Sequence, residues 1–139
     1  MKTLSLSLLL ATTFGAIVSF AQPKKAEWKE QQAFHGVMAA TFHPAEEGNF
    51  APLKQKSGEL VKKATAWSKG VYPAGYDKKA IAPILKKLVA ESKMLDAKVK
   101  AGAKNDELNK LITALHDRFH QVAEKCNAGD HDEHAGHDH

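Results

Sequence analysis

Apolar residues recur at steps of three and four in four stretches of the chain, a spacing that places them on one face of an α-helix. The clearest stretch ends at Cys126. Its apolar stripe consists of Leu108, Ile112, Leu115, Phe119, Val122 and Cys126. The sequence contains neither the alternation of period two that predicts a strand nor a repeat longer than the heptad. The pattern therefore predicts an all-α protein.

Helix-stop and helix-start signals separate the stripes. The first helix is expected to end at His43, because Pro44 disfavours helical geometry in the residue before it. Gly70 is the expected C-cap of the second helix, and Asp77 and Asn105 are the expected N-caps of the third and fourth. The predicted ranges are 23–41, 52–69, 77–100 and 105–126. Because short loops join helices of similar length, we expect an antiparallel up-down-up-down four-helix bundle.

Residues 1–21 have the pattern of a secretory signal. A positive residue precedes an apolar run of 17 residues, and Ser19 and Ala21 place small side chains at the −3 and −1 positions of a cleavage site. An uncleaved membrane anchor is the alternative, because 17 residues lie near the lower limit for crossing a bilayer. We expect cleavage after Ala21 and therefore a periplasmic or secreted protein, with the bundle in residues 22–126.

The C-terminal segment, residues 127–139, offers nothing to bury and combines four histidines with four acidic residues. This composition predicts a disordered tail. The tail histidines are His131, His134, His137 and His139. Because imidazole and carboxylate groups suit zinc, copper or nickel, the tail is expected to bind metal loosely. A purely solubilising tail is the alternative.

The charged residues give little support to nucleic acid or membrane partners. Residues 22–139 carry 19 basic and 16 acidic side chains, and the lysines are scattered along helical faces between Glu and Asp. We interpret them as a solvated surface. No nucleic acid partner is expected, and no membrane partner once the signal is removed.

Cys126 is the only cysteine, so it cannot form a disulfide within the chain. In an oxidising compartment it would be buried, a metal ligand or a disulfide link between two chains. Burial is favoured because Cys126 completes the apolar stripe. Monomer and homodimer both remain open.

Four potential ligands are expected at similar depth in the first and fourth helices, which are antiparallel neighbours in such a bundle. His35 and Met38 are three residues apart, and His116 and His120 are four apart, so each pair shares a helix face. Nitrogen and thioether donors together favour copper, whereas three imidazoles with an open position suit zinc or copper. His43 lies further along and is not expected to reach this centre. In the alternative, Met38 fills the core and the histidines are half-exposed polar residues.

Residues 112–119 resemble the haem segment of the four-helix cytochromes, the c′ type and its b-type periplasmic relatives. In the c′ type, cysteines stand at the positions of Ile112 and Leu115, so covalently attached haem is not expected here. The b-type relatives also lack these cysteines. The resemblance implies that a non-covalent haem b would be held by His116 and by Met38 from the first helix.

Three functions follow from these patterns. The favoured hypothesis is an exported protein that binds copper or zinc between the first and fourth helices, with the tail supplying metal to this site. A redox or metal-transfer protein is the kind of protein partner that would fit this role. The first alternative is a haem b electron-transfer protein, and the second is a structural bundle without a cofactor. We do not expect an enzyme, because the sequence offers no nucleophile–base pair, no glycine-rich phosphate loop and no paired catalytic carboxylates.

Overall fold

A computed structural model describes residues 26–128, with side chains described as far as Cys126, and this part of the chain consists of helices and short loops without strands. The helices are α1 (Lys29–Glu46), α2 (Ala51–Lys69), α3 (Lys78–Lys100) and α4 (Asn105–Ala128). Each helix packs against the next, and α4 closes the arrangement against α1. The predicted all-α four-helix bundle is therefore confirmed.

The two predicted terminal segments lie mostly outside residues 26–128. The signal at residues 1–21 lies entirely outside the described residues, as do the four tail histidines. Residues 127 and 128 belong to α4, so the helix extends two residues into the predicted tail. Within residues 26–128, no helix combines the length and the apolar character required to cross a bilayer.

The predicted end of α1 is wrong. The helix passes through Pro44 and ends at Glu46, because buried Phe42 and Ala45 hold its last turn against the core. The carbonyl of Pro44 then takes part in the cap, since it accepts hydrogen bonds from the backbone N–H groups of Glu47 (3.2 Å) and Asn49 (2.8 Å). Pro44 has no N–H to donate to the carbonyl of Ala40, so its presence costs α1 one helical hydrogen bond.

The predicted start of α1 is also too early. Residues 26–28 are not helical, and Trp28 is the N-cap in an extended conformation. Trp28 is only 2% exposed, and its ring packs 4.7 Å from that of Tyr72 and 5.7 Å from that of Trp67. The Tyr76 hydroxyl donates to the carbonyl of Ala26 at 3.1 Å. These contacts tie the segment before α1 to the α2–α3 loop, so the helix begins only after Trp28.

The other helix ends agree closely with the sequence. Gly70 is the C-cap of α2, and the carboxylate of Asp77 accepts hydrogen bonds from the backbone N–H groups of Lys79 (2.8 Å) and Ala80 (3.2 Å) as the N-cap of α3. Asn105 differs, because it is the first residue of α4 and its side-chain oxygen accepts a hydrogen bond from Lys54 Nζ at 2.9 Å. That contact joins the start of α4 to α2.

The apolar stripes predicted for the helices form the core. The stripe of α4 is buried over its full length. Cys126 at its end is 3% exposed, so the predicted burial of this cysteine is confirmed. The backbones of α1 and α4 approach each other less closely than those of the other neighbouring pairs do. The candidate ligands lie along this α1–α4 interface.

Candidate metal centre

His116 and His120 lie side by side on α4, with their Nε2 atoms 3.1 Å apart. Their spacing of four residues stacks them one turn apart on the same helix face. His116 is half-buried and His120 is exposed, so solvent reaches the pair. At this separation one imidazole nitrogen donates a proton and the other accepts it, so the pair holds a proton where an ion with affinity for nitrogen could bind.

Two ring stacks join α1 to α4 beside this pair. The ring of Phe42 lies nearly parallel to that of His116 with 3.9 Å between ring centres, and the ring of His35 stacks on Phe119 at 5.0 Å. Each stack therefore pairs one histidine with one phenylalanine across the α1–α4 interface. The stack with Phe42 covers one face of His116 and leaves its Nε2 edge directed at His120.

The surroundings of His116 favour its neutral form. Partial burial lowers the pKa of His116 below its usual value of 6.5, and the neighbouring His120 lowers it further. The negative charges of Asp117 and Glu46 oppose this shift, whereas His43 adds to it. A neutral imidazole keeps a lone pair available for a metal ion near neutral pH.

Sequence reasoning missed the last turn of α1. His43 was expected to lie beyond the centre, and Glu46 lay past the predicted end of the helix. The structure brings both within electrostatic reach of His116, and His43 Nδ1 hydrogen-bonds Glu46 Oε2 at 3.1 Å. The burial of Phe42 and Ala45 keeps this turn helical. The sequence signal that could have revealed it was the apolar stripe continuing through Pro44.

The four predicted ligands are only partly brought together. His116 and His120 are in contact, whereas His35 stacks on Phe119 and Met38 is 0% exposed in the core. Within residues 26–128, no group of three or more His, Cys, Asp or Glu side chains is arranged to hold a metal ion. The reason is the helical period. Three residues advance a helix by about 300°, which leaves the two side chains about 60° apart around the axis. Met38 therefore faces the core, while His35 lies towards α4.

The separation of the two nitrogens suits a shared ion. Zinc binds imidazole nitrogen at about 2.0–2.1 Å, so two ligand nitrogens lie about 2.9 Å apart at a right angle and about 3.3 Å apart at a tetrahedral angle. The observed distance of 3.1 Å lies between these values. His116 and His120 could therefore hold one ion as a bidentate pair after a small side-chain adjustment, with its other positions left to water or to further ligands.

Haem would need a larger change at the same place. Because His116 Nε2 contacts His120 Nε2, an iron atom bound to His116 would have to displace His120. Met38, the other ligand implied by the resemblance, is fully enclosed in the core, as are Ile112 and Leu115. A haem held here by His116 and Met38 would therefore require both displacement of His120 and opening of the core around Met38.

Comparison of the chain with protein families, with curated proteins and with solved structures gives no significant match. The likeness of residues 112–119 to the haem segment of four-helix cytochromes therefore stays a resemblance over eight residues. The chemistry of this bundle has to be inferred from its own side chains.

Proposed function

We propose that this protein is an exported four-helix bundle that binds a transition metal ion, copper or zinc, through His116 and His120. The observation that carries the proposal is the 3.1 Å separation of the two Nε2 atoms, at the solvent-accessible edge of the α1–α4 interface. Export is supported by the signal pattern of residues 1–21. An exported metal site of this kind would serve to hold an ion or to pass it, or an electron, to a partner protein.

Three features support a binding role over a merely structural one. The imidazole nitrogens face each other and not a backbone or carboxylate partner. The lowered pKa of His116 favours the unprotonated form that a metal requires. Phe42 fixes the ring of His116, which reduces the entropy lost when an ion is bound.

The test uses protein purified after export, with its N-terminus determined by mass spectrometry. The four tail histidines are replaced by serine in the full-length chain, so that their metal binding does not obscure the bundle. We expect about one copper or zinc ion per chain by elemental analysis. His116→Gln and His120→Gln should each weaken binding by roughly tenfold or more in calorimetric titration, because a single imidazole replaces a bidentate pair.

His35→Gln is the matched control, because it removes an imidazole from the same interface without touching the pair. It should leave the affinity unchanged. If His35→Gln and Met38→Leu weaken binding as much as His120→Gln does, the four-residue centre is correct and the two-histidine site is wrong. A Soret band that disappears in His116→Gln would instead establish haem, and the absence of any bound ion in titration would leave a structural bundle.

A further inference from the structure

Charge is divided unevenly between the two halves of the bundle. The helices α2 and α3 carry twelve lysines and three acidic residues, whereas α1 and α4 together carry four basic and six acidic residues. Because α2 and α3 pack against each other, their positive charge is concentrated on one side of the molecule. Because basic and acidic residues are interspersed along the sequence, the excess of positive charge on α2 and α3 becomes clear only when the charges are counted for each helix.

Five of these lysines lie on the outer surface of the α2–α3 hairpin. They are Lys62 and Lys69 on α2, and Lys79, Lys86 and Lys93 on α3. A step of seven residues returns to nearly the same side of a helix, so each set forms a row along its helix, opposite the buried stripe. All five are exposed, and none of them forms an ion pair with another residue of the described range. We call these five residues the lysine face.

Exposed apolar side chains occur on the same half of the bundle. Among residues 26–128, the large hydrophobic side chains that are exposed are Val71 (87%) and Met94 (48%). Val71 lies in the α2–α3 loop, two residues after Lys69. Met94 follows Lys93 on α3, but successive residues are about 100° apart around a helix, so Met94 is turned towards the side on which Lys98 pairs with Glu107 of α4. Val71 is therefore the exposed apolar side chain that lies beside the lysine face.

We propose that the lysine face, together with Val71 at its loop end, docks the protein on the surface of an anionic phospholipid bilayer. Lysines attract the lipid phosphates, and Val71 enters the boundary between headgroups and acyl chains. An acidic protein surface would also complement the lysines, and the experiment below distinguishes it from lipid. The proposal differs from the expectation, drawn from the sequence, of no membrane partner once the signal is removed.

The docking orientation leaves the candidate metal centre accessible. His116 and His120 lie on the side of α4 that faces α1, and α1 and α4 form the half of the bundle opposite the lysine face. Docking and metal binding are therefore separate properties. His116→Gln should bind vesicles as the unmodified protein does.

The experiment measures cosedimentation of the exported protein with lipid vesicles at low and at physiological salt. One set of vesicles contains phosphatidylcholine alone, and the other contains phosphatidylglycerol as well. We expect binding to the second set only, weakened by salt because the charges are at the surface. Each lysine near an anionic bilayer contributes about fivefold in binding, so Lys79→Gln, Lys86→Gln and Lys93→Gln combined should weaken it by roughly 100-fold.

A charge-matched control replaces three exposed lysines of α1 and α4 with glutamine, namely Lys29, Lys110 and Lys125, and should retain most of the binding. Val71→Ser should also weaken binding, without any change in charge. Equal losses in the two triple variants, or equal binding to both kinds of vesicle, would overturn the proposal. So would unchanged binding by Val71→Ser together with full competition by soluble polyglutamate, which would indicate an acidic protein surface. Unfolding curves of every variant check that the bundle is intact.

Discussion

The contact between His116 and His120 is the residue-level feature on which the proposed function depends. Their spacing of four residues predicted that they share a face of α4, and the structure brings the two nitrogens to 3.1 Å. The role of Phe42 could not be predicted, because it depends on the rotation of α1 relative to α4. That rotation is set by the packing of both stripes together, which no single stripe specifies.

The protonation of His116 should influence the stability of the bundle. Its pKa is lowered in the folded protein, first by burial and then by His120, so the unfolded chain binds more protons below about pH 6.5. The contribution to stability is therefore complete above that pH and is lost as the pH falls towards the folded pKa. Between about pH 7.5 and about pH 5, His116→Gln should therefore lose less free energy of unfolding than the unmodified protein does, as measured by urea denaturation.

A second variant separates the two causes. His120→Gln removes the neighbouring imidazole but not the burial, so the pKa of His116, followed by NMR titration, should rise partway towards its usual value. If the pKa of His116 did not change in this variant, burial alone would account for the shift. The contact with the His120 ring would then contribute little to the pKa of His116.

Among the helices, α1 is the one whose limits the sequence predicted least well. The stop expected at His43 followed a local rule about the residue before a proline, yet α1 continues to Glu46. Burial of Phe42 and Ala45 in the last turn outweighs that local preference. Asp77 and Gly70 were predicted correctly, because a capping group acts within a few residues of itself and the signal is contained in the local sequence.

Pro44 should destabilise the last turn of α1, so that replacing it would make the bundle more stable. A proline inside a helix lacks the N–H that would bond to the carbonyl four residues earlier and crowds that carbonyl, which costs about 3 kcal/mol in a helix interior. It also restricts the unfolded chain, which returns about 0.4–1 kcal/mol. Because the site is in the last turn, Pro44→Ala should raise the free energy of unfolding by about 1–2 kcal/mol in urea denaturation.

Pro52→Ala is the control for this prediction. Pro52 lies in the first turn of α2, where a backbone N–H has no helical partner, so its removal should give no gain. A loss of stability in Pro44→Ala would show that proline geometry is needed for the turn that follows. The hydrogen bonds from Glu47 and Asn49 to the Pro44 carbonyl would then be the stabilising feature.

The bundle as a unit combines an expected architecture with an unexpected distribution of charge and aromatic rings. Four apolar stripes joined by short loops were sufficient to predict the fold, because each stripe can be buried only against other stripes. The lysine face is spread over two helices, and its lysines come together only when α2 packs against α3. In the sequence they are separated by other residues and therefore give no cluster of charge. Of the four predicted ligands, His116 and His120 are in contact whereas Met38 is enclosed in the core, because matched depth along two helices does not fix how far each is rotated.

That geometry determines where a bound ion should act in the bundle. Both proposed ligands belong to α4, so an ion held by His116 and His120 joins two turns of one helix and does not join α4 to α1. Amides that exchange with solvent through local openings of α4 around this pair should therefore slow when zinc is added. At a free zinc concentration 100 times the dissociation constant, the slowing should be about 100-fold.

Local openings at the end of α1 should be unaffected, and hydrogen exchange followed by NMR distinguishes the two helices. Amides that exchange only through global unfolding will slow throughout the bundle, so the comparison rests on the locally exchanging ones. The zinc effect should vanish in His120→Gln. Slowing in the last turn of α1 as well as in α4 would mean that His43 or Glu46 completes the site. An ion would then hold together the two neighbouring helices whose backbones approach least closely.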